Sequence, residues 1–364
     1  MRGLPLRRLA AAAAVLAAAL VVAAPLGAAG SNSYTVKVLA SDVPTPGATL
    51  DSDLVNGWGL VAGPTTPWWV SDNGTDKSTL YTGTGTKIPL TVSVDGGPTG
   101  VVFNGTSSFV VSAQHASGPA RFIFATEDGT IRGWNPGVPP PPPPTTTSTQ
   151  TEVAVDSSPA GAIYKGLAIA QTPHGPRLYA ADFHNARIDV FDGSWAPVSA
   201  PGAFVDGSLP AHYAPFNVQT IGDRIFVAYA KQDANAEDEV AGPGLGFVDM
   251  YDVFGNLLGR VASRGSLNAP WGLAWAPDTF GAFGGDLLVG NFGDGRINAY
   301  APAGNGHFAF QGQLQDGHGN PITIDGLWAL QFGNDAAAGP KGTLFFTAGP
   351  DDETHGQFGS ITAG

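Results

Sequence analysis

The chain has 364 residues, including 51 glycines, 30 prolines and no cysteine, and its formal net charge is −13. Without cysteine it forms neither disulfide bonds nor thiolate metal sites, and its acidic balance disfavours partners such as nucleic acids and anionic membranes, which require basic patches. The length suffices for a large core, and no linker interrupts the chain, so we expect a single domain over residues 30–364.

Residues 1–29 have the pattern of a signal peptide. Arg2, Arg7 and Arg8 precede a run of Ala, Leu and Val, and residues 27–29 fit a cleavage site of small residues. The Arg7-Arg8 pair leaves the twin-arginine route open beside the general secretory route, and a retained membrane anchor is the alternative to cleavage. We expect cleavage without a stable membrane anchor, and therefore an extracytoplasmic protein, periplasmic or secreted.

The rest of the chain repeats a pattern of three short strands. The first strands of the copies begin near Asn56, Pro98, Tyr164, Pro215, Pro270 and Gly326. The second and third strands alternate apolar and polar residues, as half-buried antiparallel strands do. Because the copies recur about every 40–55 residues, they predict an all-β fold, a six-bladed β-propeller.

One position of the first strands is always small or tolerant of turns. It is occupied by Gly59, Gly100, Gly166, Asn217, Gly272 and Ala329. Near the axis of a propeller the inner strands crowd together, and small residues let their backbones approach. The first strand of each copy is therefore predicted to be the innermost strand of its blade.

The two ends of the chain are predicted to meet. The sixth copy ends after its third strand, near Ile361, whereas residues 33–40 form a strand without a partner of its own. As the outer strand of the last blade, this segment would close the ring and pair an exposed edge. A loose N-terminal arm is the alternative.

A Pro/Thr-rich insertion, residues 136–150, interrupts the second copy between its third and fourth strands. Such a composition favours extended or flexible chain. The insertion is either a docking arm or glycosylated spacer, or a tolerated surface loop.

A candidate site follows from the topology, because residues before the inner strands and residues after the second strands converge on one mouth of the channel. The candidates are Asn56, Trp58, Lys165, His212, Asn268, Trp271, Asp325, Trp328, Glu127, Asp128, Asp182, His184, Asp294, Glu353 and His355. This acidic, aromatic mouth suits Ca²⁺ or a stacked sugar ring. Asp325, Asn56 and Asn268 are the candidate metal ligands, because polar groups recur at the channel lip.

Each residue type also has a purely structural interpretation. Acidic residues in Gly-rich turns bond the local backbone, and tryptophans at one repeat position can pack between blades or in the channel. The histidines lack the spacing typical of zinc sites, and the sequence contains no nucleophile elbow or phosphate loop.

Residues 178–193 (LYAADFHNARIDVFDG) resemble NHL-type propeller repeats. The wider set of phrases, including residues 56–60 (NGWGL), 269–274 (APWGLA) and 324–330 (IDGLWAL), resembles a family of exported bacterial proteins of unknown function. The resemblance covers essentially the whole mature chain, implies an NHL-like six-bladed propeller, and brings no established activity. Some members carry a C-terminal sorting signal, which this sequence lacks, so we expect a released or periplasmic protein.

The sequence is more distantly similar to calcium-dependent lactonases of the gluconolactonase type, streptogramin-type lyases and peptidyl-hydroxyglycine lyases. The lactonases take metal ligands from Glu, Asn and Asp side chains at the starts of inner strands. The resemblance implies such roles for Asn56, Asn268 and Asp325, but the lactonase Glu has no counterpart in the first blade.

Two functions therefore stay open. The preferred one is a non-catalytic binding or scaffold protein, a monomer whose mouth takes a protein, peptide or glycan. The alternative is a Ca²⁺-dependent hydrolase or lyase, in which Asp325 and an Asn hold the ion and His212 or a nearby acid moves the proton. Ca²⁺ is the one cofactor that the sequence suggests.

Overall fold

The computed structural model describes residue 1 and residues 30–364, so the predicted signal peptide, apart from residue 1, lies outside the described residues. Strands make up nearly all the regular structure. The helices are single 3₁₀ turns at Asn73–Thr75, Ser158–Ala160 and Gly281–Phe283. None of the described helices has the length and apolar composition needed to cross a membrane.

The strands of the first half of the chain form three blades. β1 (Tyr34–Ser41) and β2 (Thr49–Leu50) precede them. Blade 1 contains β3 (Gly57–Val61), β4 (Trp68–Asp72), β5 (Lys77–Tyr81) and β6 (Lys87–Ser93). In blade 2, β7 (Pro98–Phe103) is followed by a hairpin of β8 (Val110–Ala113) and β9 (Ala116–Pro119), then by β10 (Phe122–Thr126), β11 (Thr130–Trp134) and β12 (Glu152–Asp156). Blade 3 contains β13 (Tyr164–Thr172), β14 (Gly175–Asp182) and β15 (Arg187–Asp192).

The second half of the chain forms the other three blades. Blade 4 contains β16 (Tyr213–Ile221), β17 (Arg224–Lys231), β18 (Phe247–Tyr251) and β19 (Leu257–Ser263). Blade 5 contains β20 (Pro270–Trp275), β21 (Leu287–Asn291), β22 (Ile297–Gly304) and β23 (His307–Gln313). Blade 6 contains β24 (Leu327–Phe332), β25 (Leu344–Ala348) and β26 (Gln357–Ala363). The predicted six-bladed β-propeller is therefore confirmed.

The ends of the chain close the ring within blade 6. β1 runs antiparallel to β26, from the pair Tyr34↔Ala363 to the pair Ser41↔Gln357, and β2 adds a short parallel edge to β1. The side chains of Tyr34, Ala40 and Ser41 are buried, so the closing strand is packed as well as hydrogen-bonded. The N-terminal strand thus has the predicted place.

The inner strands approach each other as closely as the small residues permit. A Cβ atom on Gly59 would lie 2.2 Å from the carbonyl oxygen of Thr99, and one on Gly100 would lie 2.4 Å from the amide nitrogen of Leu167. At the equivalent position of blade 4, the side chain of Asn217 donates a hydrogen bond to the Trp271 carbonyl at 2.8 Å. The small residues therefore set the spacing between neighbouring blades, as predicted.

Two features of the blades were not predicted. The hairpin β8–β9 lies between the first and second strands of blade 2, and blade 3 has three strands among the described residues. Where a fourth strand would lie in blade 3, the Val198 amide bonds the Val190 carbonyl, and Pro197 and Pro201 flank it. Proline lacks an amide donor, which explains why the ladder stops there. The Pro/Thr-rich insertion lies between β11 and β12, where the sequence places it.

Candidate functional site

An aromatic plug, formed by Trp58, Trp271, Trp328, Phe216 and Phe292, closes the channel near the starts of the inner strands. Trp328 stacks on Trp58 at 3.7 Å between ring centroids and on Phe292 at 4.1 Å, and it meets Trp271 edge-on at 5.9 Å. The three indoles are at most 5% exposed. They therefore pack against one another instead of presenting an open stacking surface.

Lys165 lies directly on this plug, at the start of β13. Its side chain is 2% exposed, and its ammonium group is 5.2 Å from the centroid of the Trp58 ring. Nζ donates hydrogen bonds to Glu127 Oε1 at 2.5 Å and to Asp238 Oδ1 at 2.9 Å. Burial lowers the pKa of Lys165, but the charges of Glu127 and Asp238 outweigh it and raise the pKa overall, so the group stays cationic.

A chain of amide hydrogen bonds connects the plug to the carboxylates around Lys165. Asn56 Oδ1 accepts from the Trp328 indole at 2.9 Å, and Asn56 Nδ2 donates to Glu353 Oε2 at 2.5 Å and to Asn73 Oδ1 at 3.3 Å. Asn73 in turn donates to Glu127 Oε2 at 2.7 Å. The network therefore fixes the side chains of blades 1, 2, 3 and 6 with respect to one another.

The loop that carries Glu353 has an unusual backbone. Asp351, Asp352 and Glu353 have φ angles of 56°, 52° and 65°, which places three successive non-glycine residues in the left-handed region. This conformation is costly for residues with a Cβ atom and is concentrated at functional sites. Burial raises the pKa of Glu353 although the hydrogen bond from Asn56 lowers it.

Glu239 completes the group of carboxylates. Burial raises its pKa to about 8; the Lys165 charge opposes this shift, and Glu353 and Asp238 add to it. Glu239 thus holds a proton at neutral pH. The upper mouth, defined here by Lys165, Glu127, Asp238, Glu239 and Glu353, combines four carboxyl groups with one ammonium group.

Several predicted acidic residues have roles in turns. Asp128 Oδ1 accepts from the Thr126 hydroxyl and the Thr130 amide, and Asp294 Oδ1 accepts from the Asn291 side chain. Asp182 is buried and bonds the side chain of Asn185; burial raises the pKa of its carboxyl group. These three residues stabilise the ends of their own strands, in keeping with their structural interpretation.

The predicted histidines do not join the network of Lys165. His184 Nδ1 is 3.2 Å from the Ala236 carbonyl, and His355 Nδ1 is 2.8 Å from Asp42. The Asp42 carboxylate raises the pKa of His355. His212 is exposed, and its carbonyl accepts from the Gln232 amide.

The three predicted metal ligands differ in their surroundings. Asn56 belongs to the hydrogen-bond chain, Asn268 Oδ1 accepts from the Gly242 amide at 2.6 Å, and exposed Asp325 accepts from the Asp351 amide at 3.0 Å. Both amide oxygens are thus already engaged by donors of the protein. Among the described residues, no three or more His, Asp and Glu side chains are arranged to hold a metal ion. These residues do not fit a Ca²⁺ site as arranged, and the calcium site stays a prediction.

Asp238 and Glu239 were missing from the sequence-based candidates. They lie in the long loop between β17 and β18, which joins the second and third strands of blade 4. Loops of that type were predicted to reach this mouth, and residues 233–239 contain four acidic residues. This acidic composition could have indicated a contribution to the mouth. The alternation of the strand ends at Lys231, however, and so it does not predict which loop residue turns inward.

No protein-family model matches the chain. The uncharacterised protein R648 of Acanthamoeba polyphaga mimivirus is 32% identical over 344 residues, which cover 90% of this chain and 80% of that protein. The uncharacterised protein L690 of the same virus is 33% identical over 346 residues, with coverage of 90% and 86%. Both relatives are viral, so they give no support to the predicted family of exported bacterial proteins.

Solved structures are similar in fold. A protein of unknown function from Bacteroides thetaiotaomicron has a TM-score of 0.56 and 10% identity, over 90% of this chain and 76% of its own. A catalytically inactive virginiamycin B lyase from Staphylococcus aureus, crystallised with quinupristin, has a TM-score of 0.50 and 9% identity, over 90% and 99%. At such low identity the similarity supports the propeller fold alone.

Proposed function

The chain belongs to the same family as the mimivirus proteins R648 and L690, and we propose that it is a non-catalytic binding protein whose upper mouth holds a basic segment of a protein or peptide. One observation carries the proposal: four carboxyl groups surround a single ammonium group at the channel mouth. The pattern of residues 1–29 supports a place of action outside the cytoplasm.

The charge balance of the upper mouth favours a cationic ligand. Glu239 and Glu353 have raised pKa values because burial and neighbouring carboxylates oppose their ionisation. An ammonium or guanidinium group of a ligand would add positive charge and favour the ionised forms of these carboxyl groups. The side chain of Asp238 is 71% exposed and that of Glu127 is 32% exposed, so both are open to a ligand.

A glycan ligand has weaker support, because sugar rings stack on exposed aromatic faces. The three indoles of the aromatic plug are at most 5% exposed, and Trp58 and Trp328 already cover each other. We therefore assign ligand binding to the carboxyl groups around Lys165, and the aromatic plug holds the Lys165 side chain in place beneath them.

The test is calorimetric titration of the protein with hexalysine, with hexaglutamate as the charge-reversed probe. Hexalysine is expected to bind, with an affinity that falls between about 0.05 M and about 0.3 M salt as screening increases. The double substitution Asp238→Asn with Glu239→Gln is expected to weaken binding about tenfold or more. Neither residue is part of the core, so the variant is expected to fold.

The matched control is Asp223→Asn with Asp278→Asn, which removes two exposed acidic residues outside the upper mouth; Asp223 lies in the turn between β16 and β17, at the end of β17 opposite Lys231. It lowers the net negative charge of the protein at least as much, because Glu239 already holds a proton at neutral pH, and hexalysine binding is expected to stay close to that of the unsubstituted protein. If both double variants lose binding to the same extent, the attraction comes from the overall charge and the proposed site is wrong.

An enzyme is the second candidate, and Glu239 is the observation that favours it. A carboxyl group with a pKa of about 8 is protonated at neutral pH and can donate a proton to a substrate. The Ca²⁺-dependent hydrolase or lyase suggested by the sequence stays a prediction, since no described residues form the metal site. Turnover of lactone substrates that is lost in Glu239→Gln, with hexalysine binding retained, would favour the enzyme.

A further inference from the structure

The end of the channel opposite the upper mouth contains a cavity that has no part in the proposed function. It has a volume of about 210 Å³ and is lined mainly by the later residues of the inner strands, including Leu60, Val102 and Leu167. A smaller cavity of about 20 Å³ shares Leu60, Val101, Leu167 and Gln219 with it and extends to Trp271. The two together form a well, called the lower well, which the aromatic plug closes at its inner end.

The lining of the lower well is uncharged. β3, β7 and β13 contribute Leu, Val, Ala, Ile and Phe side chains, and the polar side chains are Gln219, Thr220, Gln331 and, at the inner end, Asn217. Gln219 and Gln331 occupy the same repeat position, two residues after Asn217 and Ala329, where blades 1 to 3 have Val or Ala. Two of the blades thus present an amide where the others present an apolar side chain.

These polar groups are without partners in the protein. The Thr220 hydroxyl is buried without a hydrogen bond, and the half-buried side chains of Gln219 and Gln331 make no hydrogen bond to another group of the described residues. The Thr220 hydroxyl is enclosed by the protein, whereas the amide groups of Gln219 and Gln331 are free to bond a water molecule or a ligand in the well. The lower well therefore has a wall of mixed polarity, in which apolar side chains alternate with uncharged donors and acceptors.

We propose that the lower well binds a small uncharged molecule about the size of phenol or indole. A cavity of about 150 Å³ lined by apolar side chains accepts benzene, so the larger lower well accommodates a ring with a polar substituent. The ring lies against Leu60, Val101 and Leu167, and the polar substituent bonds Gln219 or Gln331. A charged ligand is disfavoured, because no lining residue compensates for its desolvation.

The experiment measures binding of three probes to the full protein by ligand-observed NMR. Indole and phenol are expected to bind saturably, and benzoate, which is charged, is not. Gln219→Trp fills the entrance from a partly exposed position and is expected to weaken indole binding about tenfold or more. Gln171→Trp makes the same change on β13, at an exposed residue outside the lining, and is expected to leave binding unchanged.

Three results would overturn the proposal. The lower well holds only water if neither indole nor phenol binds saturably. The probes bind elsewhere if Gln219→Trp keeps full affinity while its far-ultraviolet circular dichroism and melting match those of Gln171→Trp. Equal binding of benzoate would contradict the uncharged character of the site. Hexalysine binding is measured with the same Gln219→Trp protein, so that failure of the lower-well proposal can be distinguished from failure of the proposed function of the upper mouth.

Discussion

The two ends of the channel are built from the same six inner strands but have opposite chemistry. The upper mouth has four carboxyl groups around buried Lys165, whereas no charged side chain lines the lower well. Lys165 and Leu167 are two residues apart on β13, and one contributes to each end. The aromatic plug lies between them and separates the two environments.

The difference follows from which parts of the chain reach each end. At the upper mouth, loops between second and third strands bring Glu127 and Asp238 onto the inner strands, so residues outside the repeat decide the charge. At the lower well, the side chains come mainly from the inner strands themselves and follow the apolar pattern of the repeat. A propeller can therefore vary one end through its loops while the other end stays tied to its core.

The largest expected effect concerns the close packing between the two ends. Gly59→Ala places a Cβ atom 2.2 Å from the Thr99 carbonyl and 3.0 Å from the Ser71 hydroxyl, so β3 and β7 must move apart. We expect a loss of about 3 kcal/mol in the free energy of unfolding, as for overpacked cores. Urea denaturation followed by tryptophan fluorescence measures it.

The control for this change is Gly207→Ala. A Cβ atom at Gly207 meets no atom within 4 Å, so the free energy of unfolding is expected to change by less than about 1 kcal/mol. Equal effects of the two substitutions would mean that the inner strands do not depend on the missing side chain of Gly59.

A paired prediction contrasts the two ends directly. Leu167→Ala enlarges the lower well and is expected to lower the free energy of unfolding by about 2–3 kcal/mol, because the site already lines a cavity. Lys165→Met keeps a long unbranched side chain but leaves Glu127 and Asp238 without their cation, and a loss of about 1–3 kcal/mol is expected. The free energy of unfolding of both variants, measured by urea denaturation with and without about 1 M salt, distinguishes the two causes.

Salt is the discriminating variable of this pair. The effect of Lys165→Met is expected to shrink at high salt, since it comes from repulsion among partly exposed carboxylates, whereas that of Leu167→Ala is expected to persist. A salt-independent loss in Lys165→Met would mean that the side chain of Lys165 acts through packing on Trp58 and not through its charge.

The sequence predicted the fold more fully than the site, and the reason is visible in particular residues. Gly59, Gly100 and Gly272 recur in register, and the repeat alone locates every inner strand. Hydrophobic periodicity carries no information about loops, so it could not say that Glu239 turns inward or that Asp128 bonds its own turn. Trp58 and Trp328 were placed at the channel, but only coordinates show that they cover each other.

The last expected effect is the pH dependence of stability at the upper mouth, which vanishes near pH 4.5. The pKa of Glu239 rises from 4.5 to about 8 on folding, so the folded state binds its proton more tightly than the unfolded state. Below about pH 4.5, Glu239 therefore does not change the free energy of unfolding. Between about pH 4.5 and about pH 8 this free energy decreases as the pH rises, and above about pH 8 it stays at the lower value.

Glu239→Gln removes this dependence, because an amide does not ionise. Urea denaturation should find the variant equal to the unsubstituted protein near pH 4.5 and more stable near pH 9, by up to about 5 kcal/mol, the free energy that corresponds to the full rise in pKa. Asp278→Asn, at an exposed position away from the upper mouth, should show no such dependence. A difference between Glu239→Gln and the unsubstituted protein that stays constant with pH would mean that folding does not raise the pKa of Glu239, and the contrast between a charge-crowded upper mouth and an uncharged lower well would lose its main support.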